Sequence, residues 1–136
     1  MEANQPLPRT AARRPTAGSV ALPSAAGKLP PQAIELEEAV LGSLLIDRNA
    51  LSKVIDILTP ETFYTESHQA IFTAVKDLFA DSQPVDILTV AQLLRKNGNL
   101  ERVGGEAKLI NLSTRVSSSA HIEYHARIVV QKHIQR

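Results

Sequence analysis

The chain has no cysteine, no tryptophan and one methionine among its 136 residues, and only five aromatics: Phe63, Tyr64, Phe72, Phe79 and Tyr124. Lack of cysteine excludes disulfides, thiolate metal sites and a cysteine nucleophile, and fits a reducing cytosol. So few aromatics require an aliphatic core of Leu, Ile, Val and Ala. No apolar run approaches the roughly 18 residues of a membrane span, and the start of the chain lacks the apolar stretch of a secretory signal. The expectation is therefore a cytoplasmic protein with no membrane partner. A large excess of one charge is missing as well. Net charge is +1, with four basic and one acidic residue in 1–33 and eleven basic and thirteen acidic in 34–136. A fold that grips duplex DNA by its phosphates gathers Lys and Arg on one face, so this balance argues against a dedicated DNA-binding domain. The length allows one domain with a modest core.

Six of the eight prolines fall within residues 1–31, among Ala, Ser, Thr and Gly with no hydrophobic period. This segment reads as a disordered tail. Its arginines and small residues also resemble a transit peptide, but the prolines would break the amphipathic helix such a peptide needs. A third reading takes Arg9, Arg13 and Arg14 as a nonspecific basic arm for nucleic acid.

From Gln32 onward the pattern is helical. In "IELEEAVLGSLLID", Val40, Leu41, Leu44 and Leu45 form one stripe, and the acids ahead of them are placed to favour the helix dipole. "NALSKVIDIL" repeats Leu51, Val54, Ile55 and Leu58 until Pro60 ends the second helix. The run "ESHQAIFTAVKDLFAD" sets Ile71, Val75, Leu78 and Phe79 on one face with Phe72 beside them. Asp86 N-caps "ILTVAQLLRKNG", whose stripe of Val90, Leu93 and Leu94 ends at Arg95, Lys96 and Gly98. "EAKLINLSTRV" follows Gly104 and Gly105. The serines 117–119 then supply N-caps for "AHIEYHARIVVQKHIQR", with Ile122, Ala126, Val129, Val130 and His133 as its stripe. Burying its three aliphatics contributes roughly 5–9 kcal/mol before entropy, so this helix needs an apolar partner, and the open outcomes are docking on its own head, weak pairing with a second copy, or fraying. With neither glycine cap nor proline stop, the chain reads as ending inside a helix. The fold class is all-α, a compact bundle of about six helices behind a disordered N-terminal tail. The boundaries are 1–31 for the tail, 32–119 for the head and 120–136 for the last helix.

No catalytic, cofactor-binding or metal-binding residues are assigned. The stretch "NGNLERVGGEAKL", residues 97–109, has a superficial likeness to a phosphate loop, but such a loop needs its lysine directly after the second glycine, with a hydroxyl next to it and a strand before it. Here Glu106 and Ala107 intervene before Lys108, so Gly98, Gly104 and Gly105 read as a helix cap and a tight re-entry. His121 and His125 have metal-pair spacing, with His133 further along, but the zincin order is absent and surface histidines are the plainer reading. Asp77, Asp81 and Asp86 straddle a helix end and a turn, where Asp caps, and no nucleophile elbow occurs.

The ordered segments "PPQAIELEEAVLGSLL", "FYTESHQAIFTAVKDL", "PVDILTVAQLL", "GNLERVGGEAKLINL" and "SSSAHIEYHARIVV" resemble the N-terminal domain of the DnaB family of bacterial replicative helicases, over about residues 30–136. The family's features fall on Pro31, Glu35, Glu37, Leu41 and Gly42; on Phe63, Tyr64, His68, Ile71 and Phe72; and on Pro84, Asp86, Gly98, Leu100, Gly104 and Gly105. Lys108 departs from a frequent aromatic and His125 from a common tyrosine. The resemblance implies a helical head followed by a helical hairpin, of which 120–136 begins the first helix, within a fragment of a longer polypeptide. It further implies DNA replication as the setting, self-association in a hexameric ring, docking of primase and of a helicase loader in the primosome, and contact with DNA through the full-length ring. ATP and Mg belong to a C-terminal motor, with no cofactor in this chain, which is itself not an enzyme. A different class of function, a small helix-turn-helix DNA-binding domain using "TVAQLLRKNGNL", rests on Arg95 and Lys96 as phosphate contacts; the ordinary preference for cations at a helix C-terminus explains both.

Overall fold

The computed structural model describes residues 31–116 and 118–136, with side chains from Ala33 onward. Apart from Pro31, the expected tail lies outside the described residues. Pro31 itself opens the first helix, a position where its missing N–H costs nothing. Six α-helices follow in order: α1 (Pro31–Ile46), α2 (Ala50–Val54), α3 (Glu66–Ala80), α4 (Ile87–Lys96), α5 (Gly105–Thr114) and α6 (Ile122–Gln135). Short 3-10 turns at Pro60–Thr62 and Glu101–Val103 lie between them, and no strand occurs among the described residues.

The centre of the fold is α1. Every residue from Val40 to Leu45 is buried, so over this stretch the helix is enclosed on all sides rather than along one stripe. Helices α5 and α6 cover it most extensively, with α3 and α2 completing the enclosure. Ser43 is the polar member of that run, and its hydroxyl is satisfied by the Ala39 carbonyl at 2.8 Å. Gly42 faces α5 so closely that a Cβ there would collide with the Leu112 carbonyl. The acids of α1 are not where the dipole reading puts them, because the helix begins at Pro31 and its first turn contains none. They serve tertiary contacts instead: Glu38 takes Lys108 of α5 at 3.0 Å and Arg115 at 2.6 Å, and Glu37 points into the core.

The expected second helix is shorter than its periodicity. After Val54 the chain tightens through turns, with both Ile57 and Leu58 N–H groups donating to the Val54 carbonyl, yet Leu58 is still delivered to the core. Thr59 and Thr62 then form a reciprocal cap around Pro60. In α3, Ile71, Phe72 and Val75 are buried as the stripe requires, whereas Phe79 is 43% exposed because it reaches the last turn, beyond the cover of the neighbouring helices. That helix ends without glycine: Ser82 adopts φ 59°, and Ser82 and Gln83 N–H groups bond back to Phe79 and Leu78. The end of α4 has the same geometry with Gly98 at φ 76°, its N–H donating to Arg95 and that of Asn99 to Leu94, as a Schellman cap requires. Its start is the reciprocal Asp86–Thr89 box, 2.9 and 3.0 Å.

The last helix docks on its own head. Ile122, Ala126 and Val129 are buried against α1 and α2, while His133, expected on the same stripe, is exposed. The serines do not cap it as expected. His121 stands at the N-cap without a side-chain bond, Ser118 binds the nearby Ala120 N–H, and Ser119 bonds to Asp47. Ser117 lies outside the described residues.

Candidate interaction surface

Among the described residues, Glu37 is the most buried charged side chain, on the α1 stripe between Ala33 and Leu41. Its Oε1 lies 2.7 Å from His68 Nδ1 and its Oε2 accepts the Tyr64 N–H at 2.8 Å; Glu37 is 1% and His68 2% exposed. A buried carboxylate is tolerable only when its oxygens are satisfied, and here both are. The pair joins α1 to the start of α3 across 31 residues of sequence. Sequence reading placed both residues among the family's features but did not pair them. The signal was an acid four residues before Leu41 and seven before Leu44, and a histidine three and four residues before Ile71 and Phe72.

Around this support, α6 is attached at both ends. At its start the Ser119 hydroxyl donates to Asp47, whose carboxyl is held below its ordinary value by that bond and by the Asn49 N–H. At its end Arg136 lies over the Tyr64 ring and donates to the Thr62 carbonyl. With the inner face docked, the outer face of α6 presents Tyr124, Arg127, Gln131 and Ile134 at three- and four-residue steps. Tyr124 is 66% and Ile134 75% exposed. Beside them Ile57, Arg127, Val130, Gln131, Ile134 and Gln135 line an open groove of about 440 Å³. The exposed apolar groups of this face, Tyr124 near its start and Ile134 near Gln135, stand about 15 Å apart along the helix.

The residues weighed for chemistry are dispersed. His121 and His125 approach with ring centroids 6.2 Å apart, and burial, then the neighbouring His121, holds His125 below its ordinary pKa. His133 instead meets Arg136 at 3.2 Å. No group of three or more metal-type ligands occurs among the described residues. Asp86 caps α4 and Asp81 ends α3. Lys108 binds Glu38 rather than pointing at a phosphate site, which also accounts for a charged residue where an aromatic was expected. At the end of α4, Arg95 is paired with Glu106 at 3.0 Å, and Lys96 follows it in the last turn, where cations suit the helix dipole. No helix among the described residues is long and apolar enough to cross a membrane.

Residues 29–131 match the family model of the DnaB-like helicase N terminal domain. The chain belongs to this family. It is 49% identical over 127 residues to the replicative DNA helicase DnaB of Rhodothermus marinus, an alignment covering 93% of this chain and 14% of that protein. With the replicative DNA helicase DnaB of Geobacillus stearothermophilus it shares 42% identity over 109 residues, 80% of this chain and 24% of the relative. The chain therefore spans less than a quarter of the length of these relatives. Among solved structures, the N-terminal domain of DnaB helicase from Mycobacterium tuberculosis superposes with a TM-score of 0.76 at 37% identity, over 79% of this chain and 75% of that one. A structure described as a DnaB-like replicative helicase and its interactions with primase superposes with a TM-score of 0.66 at 31% identity, over 74% of this chain and 24% of the other. The all-α reading and the DnaB resemblance are both borne out. Within this DnaB-like domain the Glu37–His68 pair joins α1 to α3, Gly42 lets α1 approach α5, and Gly98 caps α4.

Proposed function

We propose that this chain is the interaction head of a replicative DNA helicase, and that its task is to be bound by primase and to take part in assembly of the helicase ring. The observation that carries the reading is its likeness to the helicase described together with its interactions with primase. Relatives named replicative DNA helicases support it, as does an exposed face on α6 with no catalytic set beside it among the described residues. In this reading ATP hydrolysis, with Mg, and strand separation belong to another part of a longer polypeptide. DNA is met through the assembled ring, a loader is a further partner, and the protein works in the cytoplasm.

Calorimetric titration of the cognate primase into this chain and into the full-length helicase tests the reading. Binding to both is expected, weaker for the isolated head because a ring multiplies contacts. Absence of binding to either at about 100 µM, an affinity of only about 5 kcal/mol, removes the docking role. The chain alone is expected neither to hydrolyse ATP nor to bind it tightly, and saturable micromolar nucleotide binding would refute that part.

A further inference from the structure

Of the four histidines, two have a partner that accounts for them: His68 is buried against Glu37, and His133 meets Arg136. The other two, His121 and His125, stand one turn apart at the start of α6, where the His125 N–H donates to the His121 carbonyl at 3.0 Å. His121 is exposed and His125 half-buried, and their ring centroids are 6.2 Å apart. Glu123, the acid between them, is turned to Arg127 at 3.0 Å. The same turn lacks a tie at its start, because His121 occupies the N-cap without a side-chain bond.

We propose that His121 and His125 form a two-imidazole chelate for a divalent transition-metal ion, Zn(II), Ni(II) or Cu(II), which clips the first turn of α6. Residues four apart on a helix are neighbours on its surface, so one ion can reach both rings. Imidazole nitrogen suits these ions, whereas Mg(II) and Ca(II) take oxygen ligands. With metal–nitrogen bonds of about 2.0–2.1 Å, two imidazoles on one tetrahedral ion have centroids about 5 Å apart. The rings close the remaining distance by rotation of His121, whose exposure leaves it room to turn. No group of three or more ligands occurs among the described residues, so water completes the shell. The ion is structural: held by the folded turn and not by the unfolded chain, it favours the turn and supplies the tie that the N-cap lacks. Tyr124, where the exposed face of α6 begins, has its ring 5.8 Å from that of His125, so the clip also steadies the start of that face. The inference rests on two side chains of one helical turn, and its failure leaves the helicase reading untouched.

Calorimetric titration of the chain, free of any affinity tag, with zinc chloride and with nickel chloride tests the chelate. One saturable site is expected, with a dissociation constant below about 100 µM. His121→Asn and His125→Asn are each expected to weaken it by about tenfold or more, while His133→Asn leaves it unchanged. A far-ultraviolet circular dichroism spectrum matching that of the parent shows that each variant is folded. Hydrogen exchange at the His125 amide is expected to slow on addition of Zn(II) in the parent and in neither of the first two variants, with Mg(II) at equal concentration inactive. No saturable binding of either ion up to about 1 mM, binding undiminished by both substitutions, or an equal response to Mg(II) would overturn the chelate. Binding with no slowing at the His125 amide would overturn the clip.

Discussion

At the scale of single residues, the fold depends on a few positions where chemistry and geometry allow little choice. Gly42 is one: any side chain there meets the Leu112 carbonyl, so Gly42→Ala must push α5 off α1. The expected cost is about 2–3 kcal/mol, read as a lower denaturation midpoint. Ser82 is the opposite case, a non-glycine residue at φ 59°. Ser82→Gly relieves the left-handed strain and is expected to stabilise the domain by about 1 kcal/mol; an unchanged or lowered midpoint would contradict this. Glu37→Leu leaves His68 and the Tyr64 N–H without their acceptor and is expected to cost about 3–5 kcal/mol, the scale of breaking a buried pair. These sites differ in how readable they were. Gly98 and Asp86 announce their roles locally, through a glycine after cations and an Asp three residues before Thr89. Ser82 carries no such mark, because its conformation is imposed by the α3 end, where its own N–H and that of Gln83 bond back to Phe79 and Leu78, rather than by its own preference.

At the scale of elements, periodicity located all six helices but not what each face meets. The α6 stripe was legible as apolar, yet its partner was not, since docking on α1 and α2 depends on contacts made across the whole chain. Likewise the acids of α1 look like dipole partners in one dimension and prove to be tertiary ligands for Lys108, Arg115 and His68 in three. The start of α6 gives a pH prediction. His125 has a folded pKa below 6.5, so as pH falls the unfolded chain takes up its proton first. The contribution of this site is complete above about pH 6.5 and declines as pH drops through the folded pKa. Stability measured from pH 7.5 to 5 is expected to fall at this site, and His125→Asn to flatten that part of the profile; an identical profile in the variant would exclude His125 as the cause.

At the scale of the whole molecule, a helical head with a docked α6 still carries exposed Tyr124 and Ile134 beside a groove. So small an exposed apolar surface is expected to self-associate only weakly. Sedimentation at tens of micromolar is expected to show monomer in exchange with dimer, and a tight hexamer of this chain would contradict that. The proposal that the domain exists to be bound is tested most directly by nuclear magnetic resonance of the isotope-labelled chain during titration with cognate primase. Saturable shifts are expected on the exposed faces of α5 and α6 and their connector, among them Arg115, Tyr124 and Arg127, with core amides such as Leu44 and Val75 unmoved. No shifts at about 100 µM primase, while duplex DNA at low salt produces saturable ones, would instead identify a DNA-binding domain and contradict the proposal.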